Sequence, residues 1–248
     1  MISNSKIIRF KNKNSSEADF DLIDSYRADI GKYIFTDIKM TDWKSNIEEA
    51  FQSRLQILLS SVLLRSLLLK EAIVQHLNEN NFPAYYSSLK SFLEIPALLG
   101  YIAHIIYSSK GLKEIIPKIN ELSLGNREAG DFFVGDIKSI NILTLFDKAD
   151  TFFKEKDENP KPLRTFYEDV CNFGHINFNA HIAVGKLRKG DIWKAETDFS
   201  KYKELYPFYM PGFTTAITAI KFFCSLIAKN KKVENFSLLK SKHYEVHN

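Results

Sequence analysis

The chain has 248 residues, of which 45% are hydrophobic and 26% charged, and its 34 basic and 30 acidic residues leave a net charge of +4. A chain this apolar is not wholly disordered, and two cysteines cannot staple a secreted scaffold. Ten Gly and 7 Pro are too few for collagen-like or turn-rich all-β architectures, and the small basic excess does not by itself mark a nucleic-acid binder.

Residues 1–15 are polar and basic, lack the apolar segment of a secretory signal, and read as a flexible N-terminus. Ser15 or Ser16, followed by Glu17 and Asp19, caps a first helix and places acids where the helix dipole favours them. A longer helix is predicted over 43–78, capped by Thr41 or Asp42, with Phe51, Leu55, Leu58, Val62, Leu69, Ile73 and Leu77 on one apolar stripe. At that length it either spans the domain or breaks near Ser60-Ser61. Its most apolar part, residues 55–69, is shorter than the roughly 20 residues a bilayer demands. Gln56, Ser60, Ser61, Arg65 and Ser66 interrupt it, so it reads as a core helix. The expectation is a cytoplasmic chain with no membrane association, in which Cys171 and Cys224 are reduced thiols packed as small hydrophobes.

Asn80-Asn81-Phe82-Pro83 predicts a stop and a restart, since Pro suits the first turn of a helix. The new helix runs toward Gly111, an αL cap by its residue type, with Pro96 expected to kink it. A short helix over 112–122, interrupted by Pro117, leads into the glycine-containing loop 123–135. Helices are then predicted over 140–153 and 163–173, the second stopped by Gly174. Residues 180–187 and 192–196 flank Arg188-Lys189-Gly190-Asp191 in the manner of a β-hairpin. A last apolar helix over 211–229 precedes a basic tail with Lys231, Lys232, Lys240 and Lys242. The expected architecture is mainly α, a bundle of about six to eight helices with one small β-hairpin before the last long helix. Residues 16–229 form a single helical domain in this reading, and 230–248 the tail.

No phosphate-binding glycine loop, GxSxG, CxxC or HExxH is present, and no cofactor is expected. His243 and His247 have a ligand-compatible spacing but no evident third ligand, so no metal is expected either. Attention falls on Tyr167-Glu168-Asp169-Val170-Cys171-Asn172-Phe173-Gly174-His175-Ile176-Asn177, where a helix ends and a loop begins. In the plain structural account, His175 satisfies orphan carbonyls of its own helix and Asn177 braces the turn. In the functional account, His175 is a general base or phosphate ligand at an exposed helix end. Lys90 and Glu94 are spaced for an i, i+4 helix ion pair; if instead they face the bundle interior beside His175, Arg65 is the evident partner for Glu94. Arg127, beside a Gly-Asn turn, is either a solvated charge or an anion ligand.

The run Y-x-x-V-C-x-F-x-H-x-N resembles a pattern of uncharacterised bacterial all-helical proteins, in which it usually reads as Tyr, two residues, Leu-Ser, then an aromatic and His-Pro-Asn. Two further stretches match in order: residues 89–94, with Lys90 four positions before Glu94, and Leu124-Gly125-Asn126-Arg127 followed by Asn141-Ile142-Leu143-Thr144. These proteins are similar in helical layout to the HEPN superfamily, helical domains of ribonucleases in toxin–antitoxin and phage-defence systems. The HEPN ribonuclease signature pairs an Arg with a closely following His at one helix end, where a dimer brings two copies together over RNA. In this chain Arg164 lies eleven residues before His175, which is about 16 Å along one helix, and Ile176 takes the place of the usual Pro.

Two functions follow as expectations. The first is a non-catalytic helical interaction protein in a bacterial phage-defence or toxin–antitoxin setting, acting as a homodimer or on a protein partner. The alternative is a HEPN-like metal-independent ribonuclease with His175 as general base and Asn177, Tyr167 and either Arg127 or Arg164 holding phosphate, with RNA as partner. The Arg164–His175 spacing favours the first.

Overall fold

The computed structural model describes residues 5–8, 16–124, 140–156, 162–174, 185–188, 192–195 and 206–233. Among them are seven helices: α1 (Glu17–Gly31), α2 (Ile47–Asn78), α3 (Phe82–Ser108), α4 (Leu112–Leu124), α5 (Ile142–Lys156), α6 (Leu163–Gly174) and α7 (Tyr206–Lys229). Two four-residue strands, β1 (Gly185–Arg188) and β2 (Ile192–Ala195), pair antiparallel with Gly185 opposite Ala195 and Arg188 opposite Ile192. An isolated two-stranded ribbon of this size is marginal in water. The expected hairpin of 180–187 and 192–196 is reduced to this short ribbon, and the architecture of the described residues is helical.

Local chemistry accounts for the helix starts. The Ser16 backbone N–H donates to the Asp19 carboxylate at 2.8 Å, opening α1. Asn46, not Thr41 or Asp42, caps α2: its side-chain oxygen accepts from the backbone N–H groups of Glu48 (3.0 Å) and Glu49 (3.2 Å). Asp42 instead closes the turn before it, accepting from the Lys44 N–H at 2.8 Å. The stop and restart at residues 80–83 is present. Asn80 takes a left-handed conformation with φ 58°, and the Asn81 N–H returns to the His76 carbonyl at 2.8 Å. The Asn81 side chain then accepts from the Ala84 N–H at 3.4 Å to open α3.

α2 is continuous through Ser60-Ser61. Its buried serines tie neighbouring segments to it instead of breaking it. Ser60 Oγ accepts from the Phe35 N–H at 2.9 Å, and Ser66 Oγ accepts from the Tyr26 hydroxyl at 2.7 Å while donating to the Leu63 carbonyl. Pro96 and Pro117 likewise lie inside uninterrupted helices. α3 ends at Ser108 with Ser109 extended, so Gly111 does not cap it; the Gly111 carbonyl accepts from Glu114 and begins α4.

α3 is the axis of the bundle, packed against α2, α5, α6 and α7 and more lightly against α4, while α1 packs on α7. At Gly100 a Cβ would stand 2.6 Å from Ala149 Cβ and 2.9 Å from the Phe223 ring, so the missing side chain lets α5 and α7 close on α3. α3 and the Met210–Lys229 part of α7 are long and apolar enough to cross a membrane by length and composition, and 67% of each apolar window is buried inside this fold. Residues 55–69 lie in α2, which does not pass that test, since Arg65, Lys70 and Glu71 add charge to its apolar stretch.

Both flanks of the bundle are tied down where they are described. Residues 5–8, expected in the flexible N-terminus, run along α2 and α1 with Ile7 buried. The Ser5 N–H donates to Glu71 Oε2 (2.7 Å), the Ile7 N–H to Asp24 (3.3 Å) and the Ile8 N–H to Asn78 (2.8 Å). Lys70 Nζ, fully buried, donates to Glu71 Oε1 (3.0 Å) and to the Ser5 carbonyl (3.0 Å). At the other flank, Lys232 donates to the Ile106 carbonyl at 2.8 Å and to the Ser109 carbonyl, capping the negative end of α3, and Val233 is buried.

Candidate functional site

The site residues proposed from sequence that fall among the described residues converge on α6 and the face of α3 beside it. Asp150 on α5 starts α6, accepting the N–H groups of Leu163 (2.8 Å) and Arg164 (3.1 Å). Burial raises the Asp150 carboxyl above its ordinary value, and those two N–H groups offset part of that rise. The sign follows from linkage. A raised carboxyl binds its proton in the fold at a pH where the unfolded chain has released it. Its contribution to stability therefore grows as pH falls through that window and is lost as pH rises. Asp150→Ala is expected to cost about 1 kcal/mol in urea unfolding, as the loss of a helix cap does, whereas Asp150→Asn keeps an acceptor without the buried charge and retains most of that stability.

Tyr167 stands one turn into α6. Its ring packs against Phe146 on α5 with centroids 4.5 Å apart, and its hydroxyl donates to Glu94 Oε1 across the helix interface at 3.4 Å. Cys171, a turn further along, shares a hydrogen bond with the same phenol. Lys90 and Glu94, half-buried one turn apart on α3, both act electrostatically on the Cys171 thiol. The structure thus brings Tyr167, Glu94 and Lys90 together, with Cys171 as a fourth member that sequence reasoning had treated as packing. The i, i+4 step from Tyr167 to Cys171 was a signal that could have found it.

The electrostatics of this cluster favour protonated groups. Desolvation by burial, the Cys171 side chain and the Glu94 charge push the Tyr167 phenol well above its usual range. Burial also raises the Cys171 thiol, against the opposing effects of the Tyr167 hydroxyl and the Lys90 ammonium. At neutral pH the phenol is a hydrogen-bond donor, and the thiol is not the thiolate a nucleophile requires. Burial pushes the Cys224 thiol, on α7, up to about 12. Both free cysteines are therefore expected to react slowly with iodoacetamide in the native state, Cys171 ahead of the buried Cys224. Modification of Cys171 at the rate of an unfolded thiol would contradict this picture.

Arg164 is not part of the cluster. Its guanidinium pairs with Glu168 at 2.8 Å and with Asp147, on the exposed side of α6, and these two carboxylates raise its already high pKa further. It occupies the second position of α6, whereas His175 follows the helix's last residue, Gly174. His175, Asn177 and Arg127 lie outside the described residues. Among the described residues no group of three or more His, Cys, Asp or Glu side chains could hold a metal ion.

Next to this cluster a cleft of about 210 Å³ opens between α2, α3, α4 and the start of α5. Glu94 belongs to both, and Arg65, the partner expected for it if Lys90 and Glu94 faced the bundle interior, lines the same cleft. Arg65 is exposed and makes no ion pair or hydrogen bond among the described residues. No periodicity in the sequence points to this cleft, because its walls come from four separate helices.

Comparison of the chain with protein-family models, curated proteins and solved structures returns no match.

Proposed function

We propose that this protein is a non-catalytic helical interaction module that acts as a homodimer or on a protein partner. The observation that carries the reading is the state of the α3–α6 cluster. Its phenol and thiol are held protonated, and the nearest guanidinium on α6, Arg164, is engaged by Asp147 and Glu168 at the opposite end of the helix from His175. A general base and a phosphate-gripping cation about 16 Å apart along one helix cannot act on the same phosphodiester. An outward ridge of α2 supports a contact role: Ile57 and Leu68 are exposed three turns apart on one helix face, with exposed Ser61 and Arg65 between them. A cytoplasmic setting accords with two free thiols, and the phage-defence or toxin–antitoxin setting rests on the resemblance of the Tyr167–Asn177 run.

The test is incubation of the purified chain with total RNA in the presence of a chelator, alongside the His175→Ala variant. Intact RNA in both reactions is the expected result. Cleavage by the parent that disappears in the variant would establish the HEPN-like ribonuclease reading instead. In parallel, sedimentation velocity of the parent and of Leu68→Glu reads the contact ridge. A dimer that the substitution converts to monomer assigns the ridge to a second copy, and a monomer in both rules out a second copy on that ridge.

A further inference from the structure

The cleft beside Glu94 has a lining that selects a chemistry. Its floor is aliphatic, with Ile95 and Leu98 from α3 and Leu145 from α5, and three charged side chains stand around it: Arg65 from α2, Glu94 from α3 and Glu121 from α4. Neither Arg65 nor Glu121 is engaged by an ion pair among the described residues, and the Arg65 side chain is exposed. At about 210 Å³ the space is below the ~300–1,000 Å³ typical of drug-sized ligands, so its occupant is small.

We propose that this cleft binds a small amphipathic zwitterion of the amino-acid type. Its carboxylate pairs with Arg65, its ammonium sits between Glu94 and Glu121, and its aliphatic side chain lies on Ile95, Leu98 and Leu145. A purely anionic molecule would meet two carboxylates, and a purely cationic one would meet the guanidinium. A molecule carrying both charges on adjacent carbons answers all three groups, and an aliphatic body removes the floor from water. Arg is suited to the carboxylate because its planar fork can donate two parallel hydrogen bonds. The cleft shares Glu94 with the α3–α6 cluster and Arg65 with the outward ridge of α2, and the inference rests on neither functional reading.

Isothermal titration of the full chain with L-leucine, 3-methylbutylamine and 4-methylpentanoate tests it. These probes share the aliphatic body and carry both charges, only the cation and only the anion. The expected order is leucine first, the amine weaker and the acid weakest. Loss of one charge-assisted contact weakens binding by about tenfold or more. Arg65→Gln should erase the advantage of leucine over the amine, and Glu121→Gln should weaken both. Leu98→Trp, which fills the floor, should abolish binding; if that variant does not fold, the two rim variants still decide. No saturable binding of leucine to the parent, or binding unchanged in both rim variants, overturns the proposal. Equal binding of leucine and the amine would also overturn it, because Arg65 would then play no part.

Discussion

Replacing Glu71 by Ala is expected to destabilise the fold by about 3–5 kcal/mol, the range found when one partner of a buried ion pair is removed. Lys70 is fully buried, and its ammonium has two oxygen partners here, Glu71 Oε1 and the Ser5 carbonyl, each at 3.0 Å. Glu71 Oε2 accepts the Ser5 N–H at 2.7 Å, so the carboxylate neutralises the ammonium and also anchors the N-terminal segment beside it. Without the carboxylate, a buried cation is left with one neutral carbonyl and the segment loses its strongest tether. Since domains of this kind are stable by only about 5–15 kcal/mol, the variant should unfold at markedly lower urea concentration. The double variant Lys70→Met/Glu71→Leu removes both charges and keeps apolar volume, and it should cost less than Glu71→Ala alone. If the double variant proves as unstable as the single one, burial of an uncompensated charge is not the cause.

Gly100→Ala should also destabilise, by about 1–3 kcal/mol, the range for overpacking a close-packed core. Helix propensity alone predicts the opposite sign, because Ala is favoured over Gly by about 1 kcal/mol in a helix interior. Geometry decides the outcome. The new methyl would lie 2.6 Å from Ala149 Cβ, an atom fixed to the backbone of α5, and 2.9 Å from two carbons of the Phe223 ring. A rotamer change cannot move a Cβ, so α5 or α3 must shift. Adding Ala149→Gly removes the closest contact and should recover part of the loss, leaving the Phe223 contact. Thermal unfolding of the two variants reads this directly, and a Gly100→Ala protein more stable than the parent would refute it.

What could be read from the sequence divides along the range of the interactions involved. The stop and restart at Asn80–Pro83 rested on residue types that act within a few positions, and it is present. The interruption expected at Pro117 does not occur, since α4 runs through it, and α3 likewise continues through Pro96, where a kink was expected. Ser60-Ser61 looked like a weak point in α2 for want of knowledge that the Phe35 N–H would bond to Ser60. At the candidate site, the Tyr167 run and the Lys90–Glu94 step were visible as local patterns. Their meeting was not, since Tyr167 and Glu94 are 73 residues apart and only the packing of α6 on α3 joins them. The Ser5–Glu71 tether, across 66 positions, was equally out of reach.

The position of α3 at the axis of the bundle has a consequence in time. During synthesis this helix is complete at Ser108, yet it carries a window of mean hydropathy 1.4, and the groups that cover it arrive far later. Lys232, which closes its final carbonyls, follows Ile106 by 126 residues. At ~5–20 residues per second that interval is roughly 6–25 s, over which α2 is at hand from the start, α5 and α6 follow within it, and α7 comes last. Ribosome-bound chains halted once α3 has emerged but before α5 has should therefore be the species of this protein that engages chaperones or lipid most readily, and released full-length chains the species that has let them go.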